Sequence, residues 1–132
     1  MPEPVRIGIV GAESTGKTTL ASELASRLSQ DTGLRVAWVP ELLREWCDRA
    51  GRTPQAHEQA AILHAQHERI DAAATVHDVV VCDTTALMTA VYSRLIFDDR
   101  SLDERAMALH SRMALTLLTA LDLPWVADGH QR

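Results

Sequence analysis

The stretch "GIVGAESTGKTT", residues 8–19, decides the fold of this chain. It places Gly11, Gly16, Lys17 and Thr18 at the spacing G-x-x-x-x-G-K-[ST], which is typical of a loop that holds phosphate groups. The glycines let a polyphosphate approach the main chain, and amide groups at the start of the next helix attract its charge. We therefore expect a nucleotide-binding loop made of Gly11, Ala12, Glu13, Ser14, Thr15, Gly16, Lys17, Thr18 and Thr19.

The last polar residues of this loop have separate expected roles. We expect Lys17 to reach the β and γ phosphates and the Thr18 hydroxyl to ligate Mg²⁺. The predicted cofactors are therefore ATP and Mg²⁺. The alternative is a degenerate loop that the chain keeps only as structure.

Length, charge and hydropathy limit the class of protein. The chain has 132 residues and 46% hydrophobic residues, which predicts a single domain over residues 1–132. Thirteen basic against eighteen acidic residues, with no basic block, disfavour a nucleic-acid partner. No basic segment precedes an apolar stretch at the N-terminus, and no apolar run is long enough to span a bilayer. These features predict a cytoplasmic protein with no membrane partner.

Four short apolar runs predict strands, and helical patterns separate them. The runs cover residues 5–11, 34–40, 78–83 and about 115–119. Alternating strands and helices imply right-handed crossovers and a mostly parallel sheet with helices on both faces. The predicted fold class is therefore a three-layer α/β fold. Cys82 lies inside the third run, so we expect a reduced core thiol and no disulfide with Cys47.

Apolar spacing predicts which faces of two helices are buried. The first helix carries leucines at i, i+4 and i+8, and the helix after the third strand carries three apolar residues at the same spacing. These predicted buried residues are Leu20, Leu24 and Leu28, and Leu87, Val91 and Leu95.

Capping signals predict where two other helices begin. Thr53, followed by Pro54, is the expected N-cap of a long helix through residues 55–74. Ser101 and Glu104 match a capping box for a helix that runs to about Met113. A shorter helix is predicted over residues 41–51.

An acidic residue closes the third strand. Asp83 follows "VVVC" and is expected at the carboxyl edge of the sheet, beside the phosphate loop, where ligands bind in open α/β sheets. We expect it to help bind Mg²⁺ or an acceptor. The alternative is that Asp83 is a helix cap, a role that Thr84 and Thr85 could share.

The second strand ends at the same predicted edge. Glu41 follows it directly and could accept a hydrogen bond from an acceptor hydroxyl, and Arg44 could counter phosphate charge one turn further on. The equally weighted alternative is a surface helix on which Glu41 and Glu45 flank Arg44 for solubility.

Histidine and tryptophan give weaker signals. His64 and His67 have a spacing that can clamp a metal, but a third ligand at useful spacing is missing, so we favour a hydrogen-bonded core histidine at 67. We expect the tryptophans mostly in the core. Trp125, in a predicted loop after the fourth strand, is the best candidate to stack on an aromatic ring.

Four segments together resemble a known family. In order and spacing, "GAESTGKTTL", "WVPELLREW", "VVVCDTTALMTAVY" and "LPWVADGHQR" are similar to the NadR-type P-loop domain, the ribosylnicotinamide kinase part of NadR. The resemblance covers nearly the whole chain. It implies a nucleoside-kinase-like fold and transfer of the ATP γ-phosphate to the 5′-hydroxyl of nicotinamide riboside or a similar small acceptor.

The resemblance also implies roles for residues outside the phosphate loop. Asp83 and Thr84 would face acceptor and metal, and Glu41 with Arg44 would line the acceptor pocket. Either Asp83 or Glu41 would orient the acceptor hydroxyl, while Lys17 would act on the phosphates.

Three further positions follow from the same resemblance. Trp125 would stack on the ring of the acceptor, and Arg132 would belong to a lid that supplies charge to the transferring phosphate. Glu13 belongs to the family pattern G-x-E-S-[ST]-G-K. We expect its side chain to avoid the phosphates and to bond a neighbouring backbone or acceptor group.

The chain departs from the family in two places. Thr85 stands where NadR has a second acid in "D-T-D", so a contact with metal or ribose is expected to be lost. Relatives also continue past "ADGHQR" through the rest of a lid, a strand and a helix. The resemblance therefore implies a domain without its C-terminal strand and helix, either a fragment or a weak binder without turnover.

A second function fits the same loop. A nucleotide-dependent switch that hydrolyses ATP or GTP slowly would need the phosphate loop but no small acceptor. A GTPase would use an N-K-x-D guanine reader, which the sequence lacks.

Overall fold

The computed structural model describes residues 3–11 and 16–119. Strands and helices alternate through these ranges. In chain order they are β1 (Val5–Val10), α1 (Lys17–Thr32), β2 (Val36–Val39), α2 (Leu42–Ala50), α3 (Gln59–Ala74), β3 (Val79–Asp83), α4 (Ala86–Phe97), α5 (Asp103–His110) and β4 (Leu115–Leu118). A single 3₁₀ turn, Ala56–Glu58, leads into α3.

The four strands form one parallel sheet in the order β2-β3-β1-β4. Ile7 of β1 lies opposite Val81 of β3 and Leu115 of β4. All five residues of β3 are buried, as expected for a central strand covered on both faces. The predicted parallel α/β sheet is therefore confirmed.

Helices cover both faces of the sheet. On one face, Ala21 and Ala25 of α1 pack against Ile7 and Ile9 of β1 and Val81 of β3. On the other face, Ile70 and Ala74 of α3 pack against Val80 and Cys82. Successive residues of β3 thus contribute to opposite cores, and the predicted three-layer arrangement is confirmed.

The remaining helices extend the layer that contains α3. Leu63 of α3 packs with Ala86 and Ala90 of α4 and with Ala106 and Leu109 of α5. On the other side of α3, Ile62 packs with Leu43 and Cys47 of α2. This layer holds α2 and α4 beside the carboxyl edge of the sheet.

Both cysteines are reduced thiols, and Cys82 lies in the core as predicted. Cys47 and Cys82 are buried and unbridged. Burial raises the pKa of Cys82 to about 12, so this thiol stays protonated. In the described ranges, no helix combines the length and hydropathy that crossing a membrane requires.

The predicted buried faces of α1 and α4 were partly wrong. Leu20 is 38% exposed and Leu95 is 74% exposed, whereas Ala21, Ala25 and Ala90 are buried. The prediction took the largest apolar residues as the core. Small side chains line the contact surfaces instead, because they allow the helices to approach the sheet and each other closely.

One tryptophan lies at the edge of the sheet and not in the core as expected. Trp38 is 39% exposed because it lies on β2, which is an edge strand. Trp46 is partly buried against the cluster around Leu43, and the Arg52 guanidinium lies 5.0 Å from the centre of its ring.

Both predicted capping signals were displaced. Gln55 and Glu58, and not Thr53, form the capping box before α3, and the Glu58 carboxylate accepts the Gln55 amide at 2.8 Å. The Ser101 amide instead donates to Asp99 Oδ1 in a local turn, so α5 begins at Asp103 and ends at His110. Short polar side chains support turns as readily as helix starts, which is why the pattern misplaced these caps.

Two leucine truncations test the assignment of the core. Leu63→Ala is expected to lower the free energy of unfolding by about 2–5 kcal/mol, because it leaves a cavity between α3, α4 and α5. Leu95→Ala is the matched control and should change it by less than about 0.5 kcal/mol, since Leu95 is exposed. Urea denaturation measures both, and similar losses in the two variants would contradict the assignment.

Candidate nucleotide-binding site

The loops after β1, β2 and β3 share one edge of the sheet. The strands are parallel, so their carboxyl ends lie together at that edge. Gly11 directly follows β1, Glu41 lies just after β2, and Thr84 directly follows β3. The fold therefore brings the phosphate loop and both predicted acidic positions to one place.

A side chain would not fit at the first glycine of the phosphate loop. The Gly11 backbone has φ +153°, and a Cβ atom at this position would lie 2.0 Å from Thr119 Oγ1. Gly16 has φ +85° and caps α1, a conformation that favours glycine. Ala12, Glu13, Ser14 and Thr15 lie outside the described residues, and so does the expected orientation of Glu13.

Lys17 is the first residue of α1 and the only lysine in the chain. Its side chain is buried. Its positive charge acts to lower the pKa of Asp83, so the two groups interact electrostatically. Thr19, also in the first turn, is exposed.

A direct hydrogen bond joins the phosphate loop to the third strand. The Thr18 hydroxyl donates to Asp83 Oδ2 at 2.7 Å, across 65 positions of sequence. Asp83 is 1% exposed. Two residues that were predicted separately at the Mg²⁺ site are thus in direct contact.

Burial excludes water from the Asp83 carboxyl group, which disfavours its charged form. Burial raises its pKa above the ordinary value, while the Thr18 hydrogen bond and the charges of Lys17 and Arg44 act in the opposite direction. Within the described ranges, its Oδ1 atom has no hydrogen-bond partner. A buried acceptor atom without a partner is costly and is a common mark of a ligand position.

This arrangement fits Mg²⁺ held jointly by protein and phosphate. Among the residues that the structure describes, no group of three His, Cys, Asp or Glu side chains could hold a metal ion. Mg²⁺ in nucleotide sites usually keeps several waters and takes only one or two protein ligands besides the phosphates. The Thr18 hydroxyl and the unpartnered Asp83 oxygen provide that donor set.

A second buried carboxylate lies beside the first. Glu41 is 8% exposed and accepts a hydrogen bond from Thr84 Oγ1 at 2.8 Å. Thr84 has φ +83°, which is strained for a β-branched residue. Its amide donates to Ile9 O at 2.9 Å, so the strained residue is fixed on both its backbone and its side chain.

Gln66 is a member of this site that the sequence analysis missed. It is 2% exposed. Its side-chain oxygen accepts the Leu42 amide at 2.8 Å, and its nitrogen donates to Thr84 O at 3.4 Å. It thereby joins the start of α2 to the turn after β3. Gln66 lies in the middle of α3 without a motif of its own, and nothing in its local sequence distinguishes it.

Thr85 turns away from the expected ligand side. It is 1% exposed, caps α4 by accepting the Leu87 amide at 3.2 Å, and lies 2.9 Å from His110 Nδ1. The side chain that replaces the second acid of "D-T-D" therefore belongs to the interior. The helix-cap role that the sequence allowed for Asp83, Thr84 or Thr85 belongs to Thr85.

The two acidic residues at the start of α2 lie in different environments. Glu45 pairs with Arg69 on the surface at 2.5 Å, as a solubilising residue would. Glu41 is buried, which a solubilising residue would not be. Arg44 contributes positive charge toward Asp83. This places a cation beside the two carboxylates.

The other candidates lie elsewhere. The Nε2 atom of His67 lies 3.1 Å from Asp71 Oδ2 and 3.3 Å from an Arg112 guanidinium nitrogen. The predicted hydrogen bonding is thus present, but His67 is only partly buried and not fully in the core as predicted. Burial lowers its pKa. Trp125 and Arg132 lie outside the described residues.

Fold and site together define a P-loop domain with the fold of a nucleotide kinase. A family model described as an AAA domain matches residues 6–132, and the chain belongs to that family. The comparison with curated proteins gave no match.

Solved structures support the same fold. The chain is similar to thymidylate kinase from Ehrlichia chaffeensis, with a TM-score of 0.64 and 22% identity. The similarity covers 90% of this chain and 72% of that chain. At this level of identity the comparison supports the fold alone.

Neutralising Asp83 is expected to stabilise the protein. Its folded-state pKa is raised, so the folded state binds more protons than the unfolded state above the ordinary pKa of 3.8, and stability falls as pH rises through that window. Asp83→Asn should therefore raise the melting temperature at pH 7 in EDTA without nucleotide, and the gain should shrink toward pH 4.

Asp99→Asn is the matched control for this prediction. Asp99 is only partly buried, and hydrogen bonds from Ser101 lower its pKa, so its ionised form stabilises the folded state and the variant should show no gain. A lower melting temperature of Asp83→Asn at pH 7 would contradict the argument.

Proposed function

We propose that the chain is an Mg-ATP-dependent kinase that phosphorylates a hydroxyl of nicotinamide riboside or a similar nucleoside-like acceptor. The observation that carries this proposal is the pair of buried carboxylates, Asp83 and Glu41, at the ends of neighbouring strands. A domain that only binds and hydrolyses nucleotide needs the first of these. The second, Glu41, is costly to bury, and its described hydrogen bond is with Thr84 and not with Thr18.

The proposed roles follow from these contacts. The main chain of residues 11–19 and Lys17 hold the ATP phosphates, and Thr18 with Asp83 hold Mg²⁺. When bound, Mg²⁺ supplies positive charge against the phosphate oxygens during transfer. Glu41 orients the acceptor hydroxyl and accepts its proton, and Arg44 adds positive charge beside the reacting groups.

A narrow cleft beside Glu41 supports an acceptor position. Its polar lining consists of Glu41, Gln66, Thr84, Thr89 and Tyr92. The cleft is small, so we expect it to receive a hydroxyl group and to leave the acceptor ring outside. Trp125 is the proposed stacking partner for that ring and Arg132 the proposed lid cation.

The choice of nicotinamide riboside depends on the resemblance to NadR-type domains. The family match supports a P-loop domain, and the NadR-like segments around Glu41 and Asp83 support this acceptor class. We propose a cytoplasmic protein that acts on small molecules, without nucleic acid or membrane as partner.

The activity assay tests this proposal. Incubation with Mg-ATP and a panel of nucleosides, read as phosphorylated product, should give product with nicotinamide riboside or a close analogue. Glu41→Gln should lower kcat by about 100-fold or more and leave the KM for ATP unchanged, because it removes the proton acceptor but no phosphate contact. Lys17→Ala should abolish product.

Glu45→Gln provides the matched control. It is the same change one turn further along the chain, at an exposed residue that pairs with Arg69, so kcat should stay within about twofold. ATP hydrolysis without product from any acceptor would favour the nucleotide-dependent switch. Full activity of Glu41→Gln would refute the role of Glu41.

A further inference from the structure

His110, the last residue of α5, joins two parts of the site that are distant in sequence. Its Nδ1 atom lies 2.9 Å from Thr85 Oγ1, and its Nε2 atom lies 3.0 Å from Thr116 Oγ1. Both ring nitrogens are therefore used. Thr85 belongs to the turn after β3, and Thr116 belongs to β4.

The contact at Nδ1 reaches a tightly packed side chain. A Cβ atom at Gly8 would lie 2.7 Å from Thr85 Cγ2, so the methyl group sits directly on β1. The Thr85 hydroxyl also accepts the Leu87 amide at 3.2 Å. These contacts fix the position of the Thr85 side chain. In the sequence, Thr85 comes directly after the buried Asp83 and the strained Thr84.

The contact at Nε2 reaches the strand that supports the phosphate loop. Thr116 lies opposite Gly8 of β1, and Thr119 ends the described part of the same segment. The Thr119 amide donates to Val10 O at 2.9 Å, and its side chain fills the space beside Gly11. The segment that contains β4 thus contacts the start of the phosphate loop.

We propose that His110 is a positioning residue whose Nδ1 contact with Thr85 holds the segment Asp83–Thr85 in place beside the phosphate loop. The proposal rests on the proposed kinase function. A strained residue such as Thr84 keeps its conformation only while its surroundings fix it from several sides. Gln66 and Glu41 fix Thr84 on the side of α2 and α3. His110 fixes the next residue, Thr85, from the end of α5.

The ring chemistry agrees with this role. A neutral imidazole has one donor and one acceptor nitrogen, which suits two hydroxyl partners that can each donate or accept. Burial lowers the pKa of His110, which favours that neutral form. Losing the contact at Nδ1 would free the Thr85 hydroxyl and allow the Asp83–Thr85 turn to move.

Two amide variants separate the ends of this link. Asparagine places its amide near the position of Nδ1 and can still reach Thr85, while glutamine places it near Nε2 and can reach Thr116. We expect His110→Asn to keep kcat within about threefold. His110→Gln and His110→Ala should lower kcat by about tenfold or more with the KM for ATP unchanged, because small displacements of reacting groups are costly. His57→Ala, at an exposed histidine, should match the wild type.

Hydrogen exchange tests the same proposal without activity. The Leu87 amide, which donates to Thr85, should exchange faster in His110→Ala and His110→Gln than in His110→Asn and the wild type. If wild-type protein makes no product from the nucleoside panel, the proposed function fails and this exchange pattern alone decides the positioning role.

Two results would overturn the proposal. One is unchanged exchange at Leu87 in His110→Ala. The other is the reverse order of the amide variants, with His110→Gln active and His110→Asn impaired, because that would mean that His110 only anchors β4. Melting temperatures of all variants, measured alongside, confirm that each is folded at the assay temperature.

Discussion

The hydrogen bond between the Thr18 hydroxyl and Asp83 is the contact on which this site depends. It joins the first turn of α1 to the end of β3 at 2.7 Å. It also keeps a carboxylate in a place where burial alone would favour its neutral form. The rest of the sheet makes this contact possible. Parallel pairing of β1 with β3 places Ile9 opposite Asp83, so the carboxylate arrives beside the loop that β1 begins.

Around this contact, several buried polar groups support one another. Thr84 adopts a strained backbone and donates to Glu41, while Gln66 binds both Thr84 and the start of α2. Each group on its own would be costly to bury. Together they fix two carboxylates in a site that still has one unpartnered Asp83 oxygen in the described chain. Such a site favours binding of a cation and phosphate over the stability of the empty protein.

Chemistry that is local in sequence was predictable, and chemistry that depends on tertiary contacts was not. The phosphate loop has a fixed spacing, and Asp83 closes an apolar strand, so both could be placed from the sequence. Gln66 and His110 act through partners far along the chain, to which no spacing rule applies. The capping role of Thr85 was among the alternatives that the sequence offered, but its contact with His110 could not be foreseen. The helix faces failed for a similar reason, since Ala21 and not Leu20 fits the short distance to the sheet.

The central claim is that the start of α1 binds the phosphates of ATP together with Mg²⁺. Because Lys17 is the only lysine, protein labelled with ¹⁵N-lysine gives a single backbone amide signal, and that amide belongs to the first residue of α1. Titration with ATP should shift this signal in a saturable way, and Mg²⁺ should change the shift in wild-type protein but not in Asp83→Asn. A signal that stays in place at millimolar Mg-ATP would contradict the account.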